Sequence, residues 1–298
     1  MREGGVAPQR SWCQGLGMLS AKHSRLRALL ESYGSCLVAY SGGVDSVFLA
    51  KVAHEVLGVR ALAAIADSPS LPRRELSEAL QIGERFGFPV RVLRTAEFQN
   101  DNYLANPSNR CYFCKFELFT ALVPLAREEG FDVIVYGENA SDVGDHRPGA
   151  QAAAEFKIHA PLKEVGLTKS EIRDLSAEIG LPTADKPQLA CLSSRIPYGE
   201  SVTSEKLLMI EKAEDRLRDL GFREIRVRHH ELRQGQLARI ELGRDEMPAL
   251  LDKALMDAAS AALTELGYSY VTVDVRGYRR GSLNEVKFKP QARQAAGS

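Results

Sequence analysis

Short, mostly apolar runs at 36–40, 60–66, 90–93 and 133–136 alternate with longer stretches whose apolar residues recur at helical spacing. Runs of that length bounded by turn residues read as buried strands, and a 3.6-residue period reads as a helix with one buried side. Helices are predicted over 24–32, 44–56, 73–86, 114–129 and 169–179. The helix from 44 carries Val47, Phe48, Leu49, Val52, Ala53, Val56 and Leu57 on its buried side. The helix from 169 stops at Gly180, with Pro182 just beyond, the usual punctuation of a helix end. Strands and helices that alternate with short connections predict an α/β fold, a doubly wound parallel sheet covered by helices on both faces. Ligands of such sheets bind at the carboxyl ends of the strands, where Ser41, Asp67 and Gly137 fall.

The alternation breaks at 197–203. A helix over 204–220, strands over 224–230 and 236–242, a helix over 245–266 and a strand over 269–275 then form a second, smaller C-terminal α/β domain. The expected organisation is a disordered tail over 1–19, a first domain over 20–200, a second over 201–289 and a tail over 290–298. Gly4, Gly5, Gly15 and Gly17 mark the first tail, and Met18 is a candidate start. Lys+Arg and Asp+Glu balance at 39 each in 298 residues, so no bulk field favours nucleic acid or an anionic membrane. No apolar run approaches the roughly 18 residues of a membrane span. The first twenty residues lack the continuous apolar stretch of a secretory signal, so the expected location is the cytoplasm.

The most informative stretch joins the first strand to the helix after it. Ser41-Gly42-Gly43-Val44-Asp45-Ser46 is a glycine-rich turn opening a helix. Such a turn aims backbone N–H groups and the positive helix end at an anion. Gly42 and Gly43 allow close approach, and Ser41 and Ser46 add hydroxyl donors. Asp45 would repel a phosphate unless a cation lay between them, which implies Mg²⁺. No lysine closes the loop, so it is not the loop of kinases and GTPases. It resembles the SGGxDS loop of the N-type (PP-loop) ATP pyrophosphatases, whose fold is adenine nucleotide alpha hydrolase-like. That resemblance implies adenylylation of a substrate by ATP with release of pyrophosphate.

Five cysteines in a chain with no export signal point to a reducing compartment and to thiol or metal chemistry. Cys36 lies in the first strand as a core residue, and Cys13 lies in the tail. Cys111 and Cys114 form a CxxC opening a helix, with Cys191 far downstream. Three chemistries compete for the pair. A structural zinc site wants four ligands, and no second pair stands at zinc spacing. A redox pair is open, because a helix N-terminus lowers a thiol pKa. Cys111, Cys114 and Cys191 together could ligate a 4Fe-4S cluster that keeps one iron without a protein ligand. Cys191, four residues before Arg195, is also a candidate sulfur carrier, since a nearby guanidinium favours the thiolate.

The blocks Asn109–Lys115, Gly137–Asp142, Asp145–Gly149, Cys191–Gly199 and Asp274–Glu285, with the Ser41–Ser46 loop, resemble the LarE family of ATP-dependent sulfur transferases. The likeness spans about residues 20–288. It implies adenylylation of the carboxylates of pyridinium-3,5-biscarboxylic acid mononucleotide and their conversion to thiocarboxylates, on the way to the nickel-pincer nucleotide of lactate racemase. Some members give up the sulfur of one cysteine, matching Cys191. Others use three cysteines and a 4Fe-4S cluster that takes up sulfide or a sulfur donor. This chain has all three, which favours the cluster type. A homo-oligomer is expected.

Activation by ATP is chemically required, because oxide is a poor leaving group and a carboxylate repels nucleophiles. An acyl-adenylate makes AMP the leaving group, and Mg²⁺ near Asp45 stabilises the departing pyrophosphate. Gly137, Asn139 and Asp142 follow the fourth strand as candidate ATP or Mg²⁺ contacts, with a solvated loop acid the other reading of Asp142. Asp67 and Ser68 end the second strand, where relatives of this fold hold adenosine. Arg226 and Arg228 share a strand face, and with Ser194 and Arg195 are candidates for the substrate phosphate. A solvated strand face is the other reading. Tyr112 is a candidate to stack on the pyridinium ring or to sit in the core. His229 and His230 read as ordinary strand residues. The alternatives are a tRNA thiolase or an amidotransferase-linked synthetase, and, outside enzymes, a nucleotide-binding sensor or metal-delivery chaperone.

Overall fold

The computed structural model describes residues 10–142, 148–187 and 190–279. Asp145, His146 and Arg147, residues 188 and 189, and 280–298, with the last part of the Asp274–Glu285 block, lie outside the described residues. The chain divides into two compact units. One comprises Met1–Leu104 and Asn109–Cys191, the other Ala105–Ser108 and Leu192–Ser298.

In the first unit β1 (Cys36–Tyr40), β2 (Ala61–Asp67), β3 (Val90–Arg94) and β4 (Val133–Tyr136) form a wholly parallel sheet in the order β3-β2-β1-β4. All five residues of β1 are buried, which explains why it reads as an unbroken apolar run. Its alternate side chains feed two separate cores. Cys36, Val38 and Tyr40 join a cluster with α1 (Arg10–Ser32), α2 (Val44–Leu57) and α3 (Arg73–Phe86). Leu37 and Ala39 join a second cluster with Phe119, Leu122 and Ala126. The sheet is therefore covered on both faces, the expected doubly wound arrangement.

The remaining helices of this unit are α4 (Asp101–Leu104), α5 (Arg110–Glu128), α6 (Pro148–Glu155), α7 (Pro161–Glu164) and α8 (Lys169–Glu178). Helix α1 begins at Arg10, so the helix expected from 24 extends into the stretch read as a tail. Helix α5 begins at Arg110 rather than 114, which puts the CxxC inside its first turn.

The second unit holds α9 (Ser204–Asp219), β5 (Ile225–Leu232), β6 (Gly235–Leu242), α10 (Lys253–Glu265) and β7 (Tyr268–Val273). Strand β6 is antiparallel to β5 and parallel to β7. Leu217, Ile225, Val227, Ile240, Leu263 and Tyr268 belong to its own apolar core. The helix expected over 245–266 is in fact two pieces. A 3-10 segment at Met247–Leu251 ends at Asp252, whose carboxylate caps α10 by accepting from the Leu255 N–H at 2.9 Å. An aspartate offering its own side chain to the backbone breaks the helical run.

The break between units falls after Cys191, not near 200, and 105–108 crosses over to the second unit. The reason is Asn106, fully buried with a left-handed φ of 51°. Its amide donates to the carbonyls of Pro197 at 2.7 Å and Ile196 at 3.3 Å, and its own carbonyl accepts from the Gly199 N–H at 3.0 Å. These bonds tie the short crossover segment to the 196–199 loop.

Candidate active site

The loop between β1 and α2 is held by its own hydroxyls. Ser46 Oγ accepts from the Ser41 N–H at 3.1 Å, donates to the Gly43 carbonyl at 3.1 Å and lies 3.0 Å from Ser41 Oγ. Gly42 has φ 70°, and a Cβ there would stand 2.8 Å from the Ala79 Cβ. Backbone handedness and space both demand glycine at that position. Gly137, just after β4, meets the loop directly. A Cβ on it would lie 3.0 Å from the Ser46 nitrogen and 3.1 Å from Asp45. Its role is close approach of two strand ends.

Asp45 is the focus of this end of the sheet. Its Oδ2 accepts from Lys169 Nζ at 2.7 Å, while Oδ1 is buried without a hydrogen bond. Burial raises its pKa, Lys169 opposes that rise, the Asp142 charge adds to it, and Asn139 favours the charged form without completing a hydrogen bond to Oδ1. A buried, unsatisfied carboxylate oxygen beside a second acid is a fitting donor set for Mg²⁺, which takes hard oxygen ligands. Asn139 itself shapes the turn: its Oδ1 accepts from the Ser141 N–H at 2.9 Å, and its N–H donates to Asp142 Oδ2 at 3.2 Å.

Lys169 was not among the candidates read from the sequence. It opens α8, and its N–H donates to Ser141 Oγ at 3.0 Å. Thr168 and Glu171 close a capping box around it. A lysine in the first turn opposes the helix dipole, and that misfit beside Thr-x-x-Glu was the available signal.

At the end of β2, Asp67 is ion-paired with Arg73, which also donates to the Ser68 carbonyl at 2.6 Å. The Ser68 hydroxyl is buried against Ser70 Oγ at 2.7 Å. Both candidate adenosine contacts are engaged within their own loop.

Cys111 and Cys114 stand three residues apart on α5 and so share a helix face. Cys191 belongs to the same compact unit and acts electrostatically on both. Burial first, then Cys191 and Glu97, push the Cys114 thiol up to about 12. Cys111 is exposed as a residue, yet the surrounding protein desolvates its sulfur and raises its pKa, with Cys191 adding to the effect and Arg110 and Lys115 opposing it. The pair is therefore protonated at neutral pH, contrary to what a helix N-terminus alone would produce. Among the described residues no three His, Cys, Asp or Glu side chains converge on a single metal ion. A cubane cluster asks less of them, because each thiolate binds a different iron. Three soft sulfurs from two distant segments are the donor type such a group takes. None of Cys36, Cys111, Cys114 and Cys191 is in a disulfide.

No family model matches the chain. It is 43% identical over 272 residues to an uncharacterised protein of Synechocystis, covering 91% of this chain and 100% of the relative. It is 31% identical over 277 residues to the pyridinium-3,5-bisthiocarboxylic acid mononucleotide synthase of Lactiplantibacillus plantarum, covering 93% of this chain and 98% of that enzyme. The chain belongs to the LarE family. A weaker likeness, 29% over 195 residues and about half of each chain, reaches the tRNA-specific 2-thiouridylase MnmA of Thermus thermophilus. Like these relatives, this LarE-family chain is an ATP-using, sulfur-transferring enzyme of the PP-loop superfamily.

The second unit of this LarE-family protein brings together four of the residues expected to bind substrate. Arg195 is buried and held bidentately by Glu214, Nε to Oε1 at 2.8 Å and Nη2 to Oε2 at 3.0 Å. That pairing neutralises the guanidinium that was expected to favour the Cys191 thiolate. Arg195 Nη1 also donates to Ser194 Oγ at 3.1 Å. Arg228 is buried, pairs with Glu241 at 2.7 Å and donates to the Ser194 carbonyl at 2.8 Å. Arg226 lies 5.0 Å from the Tyr278 ring centroid and donates to the Ile225 carbonyl at 2.6 Å. Burial, then the Arg195 charge, lower its pKa, and Arg228 adds to this. Among the described residues Arg226 alone of the three makes no ion pair with a carboxylate. Glu214 and Glu241 were not singled out in the sequence, where an isolated Glu carries no signal. Tyr112 donates to Glu155 Oε2 at 2.8 Å, and its ring meets Phe113 edge-on at 5.3 Å. His229 is buried beside the Tyr268 hydroxyl at 3.2 Å.

Proposed function

We propose that this chain adenylylates a carboxylate of pyridinium-3,5-biscarboxylic acid mononucleotide, releases pyrophosphate, and converts the acyl-adenylate to a thiocarboxylate. The observation that supports the reading is that Cys111, Cys114 and Cys191 belong to the unit that also bears the Ser41–Ser46 loop and that Cys191 acts electrostatically on the other two. The named relative from Lactiplantibacillus plantarum supports the acceptor.

In this reading the loop amides and the α2 N-terminus hold the triphosphate, and Gly42 keeps the backbone close to it. Asp45 and Asp142 hold Mg²⁺, which when bound neutralises the charge that grows on the leaving pyrophosphate. Were Mg²⁺ held on Asp45, Lys169 would be freed from that pair and its ammonium could serve the phosphates. Asn139 stays near Asp45, and Asp67 and Ser68 border the adenosine. Ser194, Arg195, Arg226 and Arg228 bind the substrate phosphate, with Arg226 the most available charge. Tyr112 stacks on the pyridinium ring. Cys111, Cys114 and Cys191 hold a 4Fe-4S cluster, which when bound supplies an iron that can carry sulfide from the sulfur donor. Reduced thiols of this kind call for a reducing compartment, the cytoplasm. The acceptor is a small mononucleotide and needs no nucleic-acid partner.

The test is anoxic protein incubated with ATP, Mg²⁺, sulfide and the biscarboxylic mononucleotide. AMP, pyrophosphate and thiocarboxylate should form over many turnovers. ADP formation, or ATP cleavage indifferent to the acceptor, would refute the reading. The sacrificial alternative, with Cys191 as donor, predicts one turnover and loss of the elements of H₂S from Cys191. That outcome together with an active Cys111→Ala protein would replace the cluster route.

A further inference from the structure

We infer that Tyr278 is a positioning residue for the substrate phosphate: its ring holds Arg226 in place without cancelling the charge. The inference rests on the phosphate-site reading above. Arg195, Arg226 and Arg228 act on one another in the second unit, and each is compensated differently. Glu214 neutralises Arg195, and Glu241 neutralises Arg228. Arg226 stands directly opposite Glu241 in the β5–β6 ladder, where a cross-strand ion pair is expected. Glu241 instead pairs with Arg228 at 2.7 Å and with Arg239 at 3.2 Å. Arg226 has the Tyr278 ring in that place, with 5.0 Å from Cζ to the ring centroid.

A ring differs from a carboxylate in its effect on the cation. It attracts through its quadrupole and carries no net charge, so the positive field of Arg226 survives. A guanidinium that stacks on a ring does so with its flat face, which keeps its edge donors for bidentate contact with phosphate. One of these donors, on Nη1, goes to the Ile225 carbonyl at 2.6 Å. Burial and the Arg195 charge both act against a cation at 226, and the ring offsets part of that cost.

The backbone is built to put the ring there. Asp274, just after β7, donates its N–H to the Ile240 carbonyl at 2.8 Å. Its carboxylate accepts from the Arg276 N–H at 2.9 Å and pairs with Arg239. The Gly277 N–H closes the turn on the Asp274 carbonyl at 2.9 Å. Gly277 has φ 65°, and a Cβ there would stand 2.8 Å from the Leu242 carbonyl oxygen. Glycine alone lets the chain return so close to β6. The Tyr278 N–H then donates to that same carbonyl at 2.7 Å. Arg239, by holding both Asp274 and Glu241, ties this turn to the pair that occupies Arg228. The first part of the Asp274–Glu285 block is thus the support of Arg226.

Calorimetry on the full chain would compare binding of the biscarboxylic mononucleotide and of its phosphate-free riboside. The proteins are wild type, Tyr278→Phe, Tyr278→Leu, Arg226→Ala and the Arg226→Ala/Tyr278→Leu double variant. Tyr278→Phe should bind both compounds like wild type. Tyr278→Leu should bind the mononucleotide about five- to tenfold more weakly and the riboside as before. In the Arg226→Ala background Tyr278→Leu should add nothing. In turnover the acceptor KM of Tyr278→Leu should rise, with kcat and the ATP KM nearly unchanged. Should Tyr278→Leu also melt early, replacement of Tyr278 by pentafluorophenylalanine keeps the ring's shape and inverts its quadrupole. That protein should bind the mononucleotide more weakly than Tyr278→Phe. Unchanged binding in both ring variants, or a further loss on top of Arg226→Ala, would overturn the role of Tyr278 and leave the phosphate site standing. Weak binding by Tyr278→Phe would assign the effect to the hydroxyl and overturn it too. An Arg226→Ala protein that binds the mononucleotide like wild type would overturn the phosphate site itself, and this inference with it.

Discussion

Lys169 Nζ sits 2.7 Å from Asp45 Oδ2, joining the start of α8 to the loop between β1 and α2 across 124 positions of sequence. The lysine neutralises one oxygen of a carboxylate whose other oxygen is buried and unpartnered. Asp45 thus has a counterion before any metal or nucleotide is bound.

Two substitutions separate the roles of this pair. Asp45→Ala should abolish pyrophosphate release in a folded protein. Lys169→Met should leave the fold intact and raise the ATP KM by tenfold or more, in line with about 1.5–3 kcal/mol for a hydrogen bond to a charged group. Steady-state pyrophosphate release measures both. An unchanged KM for Lys169→Met would confine the lysine to its ion pair.

Arg195 and Glu214 form a buried bidentate pair, and the Val227 N–H also donates to Glu214 at 3.1 Å. Glu214→Gln leaves a buried guanidinium without its counter-charge. The expected loss is about 3–5 kcal/mol of stability, read by urea denaturation.

Arg226 and Arg228 should respond differently despite sharing a strand. Arg226→Ala removes a cation that, among the described residues, holds no carboxylate, so the acceptor KM should rise about tenfold with the ATP KM and the melting temperature nearly unchanged. Arg228→Ala strips Glu241 of its 2.7 Å partner and should lower the melting temperature as well. Equal behaviour of the two variants would contradict this division.

His229 gives the second unit an acid limit. Burial lowers its pKa from 6.5 to about 4 in the folded chain, and Lys206 adds to the effect. Between those pH values the unfolded chain binds a proton that the folded chain refuses. Stability therefore falls as pH drops from 6.5 toward 4, by at most about 3.4 kcal/mol. Denaturation midpoints across that range should show a smaller slope in His229→Gln.

The parts legible in the sequence were those whose cause is local. An apolar run followed by Ser-Gly-Gly-x-Asp-Ser dictates strand, tight turn and helix start within a dozen residues, and β1, the loop and α2 form where expected. The period of apolar residues was enough for the parallel sheet covered on both faces, because burying β1 on both sides leaves no other arrangement. Where local signals competed, boundaries moved. Asp252 capped a new helix inside one that looked continuous, and the CxxC fell inside α5 because Arg110 and its neighbours extend the helix backward. The tertiary structure alone decided which charges meet. Lys169 with Asp45, Arg195 with Glu214 and Arg228 with Glu241 are separated by 13 to 124 positions. A single Lys or Glu has no periodicity to betray it, and its burial and pKa depend on what the folded chain places around it. Asn106 belongs to this group as well: only closure onto the 196–199 loop shows why that residue is buried in a left-handed turn. Short-range propensity writes the elements into the sequence, whereas long-range charge pairing and desolvation exist only once those elements have come together.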